Sequence, residues 1–545
     1  MAPSRSLLTV FSLLFVAQAC SSAKIEWGPC QDGEFNFTLT EVQCGTLSVP
    51  LDYTSKVSNQ SIELELVKVL APVQPSRGSI QLNFGGPGVP TRNYAVAVGP
   101  VLQILSGGVY DLIGFDPRGT GKTIPFVCTD DAFTIGQMLS EDFRSTLESD
   151  TMGRRMWERA RVDANICLRG GNGNKTGEFV GTAFVARDVM SVAEAAGEDG
   201  LLRYWGFSYG TTLGATLVSM FPDKVDKVIL DGVQNAHEYY HAHADYEEWT
   251  DSDSIFSYFF ESCLTAPPGR CALSALNKTA AELERDAWAF IDSLNTAPMP
   301  AGTTLVDSAI VKGYILGQLK YTGTWLLFSS LLATLVYGTR SEAIRTLEFI
   351  VEEAEATGEL GVDSFDIQDN LWAIHCGDRT VRLDSWETQE TEGVFERLYN
   401  TSRLVGDIVT PISAHCAQWP WRAKESYDGD FNVKTRKPVL VASNTRDSHT
   451  PLRSAKNLTA GLEGSGLLEV KATGHATLNA PSVCGYLATV AYWLNGTLPQ
   501  EGRVCEAPHP FVDYGWEDVL MEVGVGNATA VQRRALNPLK RRGWL

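Results

Sequence analysis

Basic residues are in short supply here: 45 lysines and arginines stand against 65 aspartates and glutamates, a formal charge of −20 over 545 residues. The acids are spread along the chain rather than gathered into a tail. A surface of that sign cannot replace the counterions of a phosphate backbone, which argues against nucleic acid as a partner. Long apolar runs are absent beyond the N-terminus. The most apolar later stretch, Trp325 to Tyr337, carries Ser and Thr and at about 13 residues reads as a core helix, so no stable membrane anchor is expected there. Cysteines show no CxxC spacing, which removes a zinc ribbon. Internal repeats and low-complexity linkers are missing too. What remains is a 44 % hydrophobic chain, long enough for one large domain with an insertion or for two domains.

The first residues, "MAPSRSLLTVFSLLFVAQACSSAKIEW", place Arg5 before an apolar run from Leu7 to Val16 and end it with small residues. That pattern predicts a secretory signal peptide over 1–23, too short for a membrane span, and hence a secreted, extracellular protein. Eight Asn-x-Ser/Thr sequons, at Asn36, Asn59, Asn174, Asn277, Asn400, Asn457, Asn495 and Asn527, fit export and would mark surface positions. Eleven cysteines become an even ten once Cys20 leaves with the leader, as an oxidising compartment favours. Sequence does not fix the connectivity. Proximity along the chain suggests Cys30 with Cys44, Cys128 with Cys167, Cys263 with Cys271, Cys376 with Cys416, and Cys484 with Cys505.

Seven segments read as strands ending in Gly, Asp or His turns: 61–70, 79–86, 110–119, 201–208, 225–232, 437–447 and 466–475. They are continuous apolar runs separated by helical stretches such as "ARDVMSVAEAAG", the pattern of a mostly parallel sheet flanked by helices. The fold class is therefore α/β. Between Asp231 and Pro438 that alternation stops for roughly 200 residues of helical character, read as a large, mainly helical cap over the C-terminal edge of the sheet, where open α/β sheets bind ligands. The expected organisation is a leader over 1–23, core over 24–232, helical cap over 233–430, and core again over 431–545.

The chemistry starts at "GFSYG". This G-x-S-x-G sequence follows a predicted strand and precedes a predicted helix, the setting of a nucleophile elbow. The turn lifts the Ser208 hydroxyl clear of the sheet, and a Cβ at Gly206 or Gly210 would collide across it. A serine needs a base, and the base needs a carboxylate to hold it. Only eight histidines are present. His475 follows the last core strand and Asp447 ends the strand before it, so Ser208, Asp447 and His475 fall in the chain order of α/β-hydrolases. His449 competes for the base and Asp428 and Asp430 for the acid, each in a poorer setting. The glycine-rich "NFGGPGVP" after a strand offers an N–H, at Gly86, to pair with that of Tyr209 as an oxyanion hole. No cofactor or metal is implied by these parts. "HEYYH" at 237–241 matches a zinc-protease motif, but it lacks the extended downstream pattern and a clear third ligand.

Together "CGTLSVPLDY" (44–53), "GGPG" (85–88), "GFDPRGTGKT" (114–123), "GFSYGTTLGATLVSMFP" (206–222), "VILDGV" (228–233), "AIHCGD" (373–378) and "TRDSHTP" (445–451) resemble the secreted tripeptidyl aminopeptidases, relatives of prolyl iminopeptidase. The resemblance covers nearly all of the mature chain. It implies an α/β-hydrolase fold with a helical cap, a triad at Ser208, Asp447 and His475, and release of short peptides from a free N-terminus. Phe84 stands where prolyl iminopeptidases have His, and Val89-Pro90 where many bacterial relatives have smaller residues. These departures bear on substrate preference. An exopeptidase also needs a counter-charge for the substrate ammonium, for which Glu238, Glu247, Glu248 and Asp378 are candidates. The alternative is an esterase or lactonase with the same triad acting on a small secreted or secondary metabolite, because the machinery does not distinguish ester from amide. Oligomeric state is not legible.

Overall fold

In the computed structural model, residues 24–31, 33–35, 40–131, 134, 145–147, 149–357 and 362–524 are described. The leader expected over 1–23 and the sequons at Asn36 and Asn527 lie outside them. Nine strands form one sheet: β1 (Val42–Pro50), β2 (Ser61–Val69), β3 (Ser79–Asn83), β4 (Asp111–Phe115), β5 (Leu202–Phe207), β6 (Val225–Asp231), β9 (Leu440–Arg446), β10 (Gly466–Thr473) and β11 (Val504–Glu506). A separate hairpin pairs β7 (Met299–Ala301) with β8 (Thr304–Val306). The sheet runs β1-β2-β4-β3-β5-β6-β9-β10-β11. β1 is antiparallel to β2 and β2 to β4, and every other pair is parallel. β3, β4 and β5 are buried at every position, as expected of central parallel strands with helices on both faces.

Each face of the sheet carries its own apolar cluster. One is built around Val185, Val189, Leu213 and Leu217, the other around Val98, Leu102, Tyr492 and Trp493. Between β6 and β9 the chain passes through helices that include Ser252–Leu264, Ala280–Ser293, Ser308–Leu319, Trp325–Tyr337 and Gly406–Gln418. These enclose a third cluster, centred on Phe256, Phe259, Trp325 and Phe328. That cluster also takes in Trp157 and Ala160 from the helix Met152–Arg169, which precedes β5 in the chain. No described helix is long and apolar enough to cross a membrane. Trp325–Tyr337 instead buries Trp325, Phe328, Leu332 and Leu335.

Five disulfides close the pairs Cys30–Cys44, Cys128–Cys167, Cys263–Cys271, Cys376–Cys416 and Cys484–Cys505, the sequential pairing expected from the sequence. The asparagines of the six described sequons, at 59, 174, 277, 400, 457 and 495, are all exposed.

The helical segment also reaches the sheet's C-terminal edge. Lys320 O accepts the main-chain N–H of His475 at 2.7 Å, and Tyr321 pairs with Gly474 in an isolated antiparallel bridge.

Candidate active site

From Leu202 to Val218 every residue is buried except Ser208, which is half-exposed. The cause is backbone geometry. β5 ends at Phe207, the helix Tyr209–Met220 begins at the next turn, and Ser208 joins them at φ 57° and ψ −128°, a conformation that residues with a Cβ rarely adopt. The turn tolerates no bulk beside it: a Cβ at Gly206 would lie 2.2 Å from Gly210 O, and one at Gly210 would lie 2.6 Å from Asn83 O. Ser208 N–H donates to Asp231 O at 3.1 Å, and Thr211 closes the first helical turn through Ser208 O. The side chain therefore stands at the N-terminus of a helix, where unpaired N–H groups face any developing negative charge.

Because β3 lies beside β5, with Asn83 in register with Gly206, the glycine-rich loop arrives against this turn. Gly85 and Gly86 adopt φ of 92° and 102°, and a Cβ on Gly85 would sit 2.8 Å from Ser208 Cβ. Gly85 N–H is taken by Asn83 Oδ1 at 3.0 Å. Among the described residues the N–H groups of Gly86 and Tyr209 have no protein acceptor, which leaves both available to an incoming oxygen.

Asp447 and His475 extend from the neighbouring strands β9 and β10. Both are buried, and His475 Nδ1 lies 3.0 and 3.1 Å from the two Asp447 oxygens. Asp447 also accepts from His449 N–H, Thr450 N–H, Thr450 Oγ1 and Ala476 N–H. Burial alone would raise its carboxyl, but the His475 charge and the donated hydrogen bonds outweigh it and hold the group below the usual carboxylate range. The ring's partners, Asp447 and Thr450, both lie at Nδ1, and among the described residues Nε2 has none. The Ser208 hydroxyl is likewise without a partner there. Such bonds often tighten only when substrate is present.

The competing residues are placed elsewhere or otherwise engaged. His449 packs with its ring 5.3 Å from that of His475, and burial followed by the nearby Lys320 and His475 charges depresses its basicity strongly. Asp428 and Asp430 are exposed, and Asp430 caps its own turn at Asn432. In the zinc-like motif His241 Nδ1 meets Thr380 Oγ1 at 2.9 Å, and Glu238 accepts from Glu247 N–H at 2.6 Å.

The four acids offered for an ammonium separate clearly. Asp378 is buried and accepts from Thr182 N–H, Thr182 Oγ1 and Tyr239 OH, so it braces Tyr209, whose hydroxyl also meets Thr182. Burial, partly offset by these bonds, lifts it to about 7. Glu247 accepts from Ser454. Glu248, half-buried, accepts from Gln234 Nε2 at 3.2 Å, while Gln234 accepts from Thr212 on the helix that Ser208 begins. Burial and the adjacent Asp245 charge push Glu248 well above its ordinary range, and burial lifts nearby Glu238 to about 7.

Comparison with known proteins agrees with this architecture. A family model described as "alpha/beta hydrolase fold" matches residues 84–269, and one described as "TAP-like protein" matches 402–505. The chain is 24 % identical to a tripeptidyl aminopeptidase of Streptomyces lividans over 90 % of its own length and 88 % of that protein's. These matches support a TAP-like serine hydrolase with the α/β-hydrolase fold. This TAP-like hydrolase is also 26 % identical to serine protease Hip1 of Mycobacterium tuberculosis, over 88 % of this chain and 91 % of that one. A carboxylesterase B of Mycobacterium tuberculosis is 28 % identical, over 88 % and 89 %.

Several residues that shape the site are given no role by the sequence reading. Thr450, Asn444, Asn479 and Asp231 all bond to the two loops that carry Asp447 and His475. Asn444 Nδ2 donates to Gly474 O and Ala476 O, and Asn479 Nδ2 to His475 O. Asp231 is brought to the His475 loop only by strand order. The one cue was position at a strand end, which Asp231 shares with Asp447.

Proposed function

We propose that this TAP-like hydrolase is a secreted exopeptidase that releases short peptides, tripeptides in particular, from free N-termini by acyl transfer through Ser208, Asp447 and His475. The observation that carries the reading is the half-exposed Ser208 at a left-handed φ, with two unpaired N–H groups beside it and a buried His475–Asp447 pair on adjacent strands. In this mechanism His475 Nε2 takes the Ser208 proton as Oγ attacks the scissile carbonyl. Gly86 N–H and Tyr209 N–H receive the oxyanion, and the helix N-terminus adds partial positive charge. His475 then protonates the leaving amine, and water, activated by the same ring, hydrolyses the acyl-enzyme. Asp447 holds the ring with Nδ1 protonated throughout.

Preference for a free amine is supported by the acids of the helical segment, which would act as a cap. Glu238, Asp245 and Glu248 influence one another electrostatically, while Asp245 already pairs with Arg379 and His375. Among the described residues Glu248 and Glu238 form no ion pair of that kind, the Lys320 and Arg397 charges act on them only weakly, and both are pushed toward their neutral forms. An ammonium would supply the missing positive charge and ionise them. Glu248 connects through Gln234 to the first turn of the Ser208 helix, which brings the amine-binding end and the nucleophile onto one framework. Exposed sequon asparagines and five disulfides support an extracytoplasmic setting.

The esterase reading is favoured by one observation, the likeness to a carboxylesterase. Free and N-acetylated tripeptide p-nitroanilides, tested beside p-nitrophenyl esters with wild type and Ser208→Ala, discriminate the two. The peptidase reading expects serine-dependent turnover of unblocked amides and little of the acetylated ones. Turnover of esters alone establishes the second reading, and wild-type rates in Ser208→Ala overturn both.

A further inference from the structure

A second buried carboxylate lies between the proposed nucleophile and base. Asp231 is the last residue of β6 and is 1 % exposed. Its main-chain oxygen accepts Ser208 N–H at 3.1 Å. Its side chain faces the other loop: Oδ1 accepts Thr477 N–H and Oδ2 accepts Thr477 Oγ1–H, both at 2.7 Å. One residue thus bonds to Ser208 through its backbone and, through its carboxylate, to the residue two beyond His475.

The loop it grips needs holding. Ala476, between His475 and Thr477, adopts φ 58° and ψ 157°, a region that belongs to glycine and is occupied by other residues only under strong local restraint. Two aspartates acting on consecutive amides supply part of the restraint, beside Asn444 Nδ2, which donates to Ala476 O. Asp447 Oδ2 takes Ala476 N–H at 2.8 Å, and Asp231 Oδ1 takes Thr477 N–H. Gly232, at φ 70°, passes so close that a Cβ there would lie 3.0 Å from Ala476 Cβ.

We propose that Asp231 is a positioning residue, which sets the distance and angle between the Ser208 hydroxyl and the His475 ring by tying the base's loop to the nucleophile's turn. The inference rests on the catalytic reading above. It goes beyond it in assigning a role to a carboxylate that touches neither substrate nor reacting atoms. The charged and titratable groups acting on Asp231 are Asp447 and His475 on the two facing loops. Burial raises the Asp231 carboxyl to about 6, so Thr477 loses its anionic acceptor within the acid half of the assay range.

The test is steady-state kinetics on an unblocked tripeptide p-nitroanilide and on p-nitrophenyl butyrate, from pH 5 to 9, for Asp231→Asn, Thr477→Val and Thr477→Ser. Expected for Asp231→Asn is a fall in kcat of tenfold or more with KM within twofold, and an acid limb of kcat/KM displaced to lower pH. Thr477→Val removes one of the two bonds and falls by a smaller factor. Thr477→Ser keeps both donors and regains most of that loss. Thermal melting reports folding, and if Asp231→Asn does not fold, the Val and Ser pair at 477 decides alone. The inference is overturned by a folded Asp231→Asn with wild-type kcat and pH profile, by equal rates in the two Thr477 variants, or by a fall in kcat matched by a rise in KM with the acid limb unmoved. Ser208→Ala alongside separates the levels: turnover surviving there removes the catalytic reading itself, whereas an inactive Ser208→Ala beside a wild-type-like Asp231→Asn removes only this inference.

Discussion

Replacing Asp447 by asparagine keeps its shape and reverses the polarity of one oxygen. Five donors converge on the carboxylate: His449 N–H, Thr450 N–H, Thr450 Oγ1–H, Ala476 N–H and His475 Nδ1–H. The amide can accept at only one oxygen, so its NH2 is turned either toward Ala476 N–H and the Thr450 hydroxyl, or toward the N–H groups of His449 and Thr450. The hydroxyl rotates away, but the backbone donors do not. One or two buried donors left unpaired, at about 1–3 kcal/mol each, cost about 1–6 kcal/mol of stability. The rate effect is larger in kind. An NH2 facing Nδ1 favours the tautomer with the proton on Nε2, which cannot accept from Ser208. Triads of other folds lose about 10⁴ in kcat on this exchange, which corresponds to about 5 kcal/mol of barrier. The assay is kcat on the unblocked tripeptide p-nitroanilide together with thermal melting from pH 3 to 8. The folded-state pKa of Asp447 is depressed, so its stabilisation is complete above the unfolded value of about 3.9 and is lost as pH falls through the folded value. The stability gap between wild type and Asp447→Asn should therefore be flat at neutral pH and narrow on acidification. A kcat within threefold of wild type, or a gap unchanged at pH 3, refutes the reasoning.

Gly206→Ala places a Cβ 2.2 Å from Gly210 O and 2.6 Å from the Tyr204 ring, so the elbow must shift. Overpacking of this kind costs about 1–3 kcal/mol, and turnover should fall at least a hundredfold; a variant with wild-type melting and rate would show that the turn has room. Asp378, raised to about 7, binds its proton more tightly folded than unfolded, so its contribution declines by about 2–3 kcal/mol as pH rises from 5 to 8. Melting curves of Asp378→Asn should lack that share of the decline, and an identical pH dependence in both proteins would contradict it. Replacing Cys376 and Cys416 by serine opens a cross-link spanning 40 residues and should lower stability by about 2–4 kcal/mol, read from the denaturant midpoint. An unchanged midpoint would mean that packing alone fixes that region.

The sheet was legible where burial is two-sided. β3, β4, β5 and the first five residues of β9 are buried, and apolar stretches within them such as Leu112–Ile113 and Leu440–Ala442 register in a window of the sequence. β1 was read only as part of a family motif. Its "VQCGTLSVP" contains Gly and Pro and alternates at an edge of the sheet, where one face is open. β11 and the β7–β8 hairpin are three residues per strand, too short for periodicity to register. The outline of the candidate site was legible because an elbow has a local signature and because acid and base follow predicted strands. What supports it was not. Asp378 and Glu248 look alike as acids in a helical region, and only the fold separates one bonded to Thr182 and Tyr239 from one left with a single amide. Asp231 likewise becomes a neighbour of Thr477 only once β6 lies beside β9.

The bridge between Tyr321 and Gly474 bears on how this enzyme can be opened, divided or rebuilt. Gly474, at φ 132°, leaves little room for a side chain, since a Cβ would lie 3.0 Å from Lys320 O. The seam that joins the helical segment to the sheet therefore runs through the residue next to His475. A hinge placed there would drag the base out of line each time it flexed. The same seam constrains engineering. Exchanging the helical segment for that of a relative is not a modular graft, because the incoming chain must present a carbonyl to His475 at the place where Lys320 does.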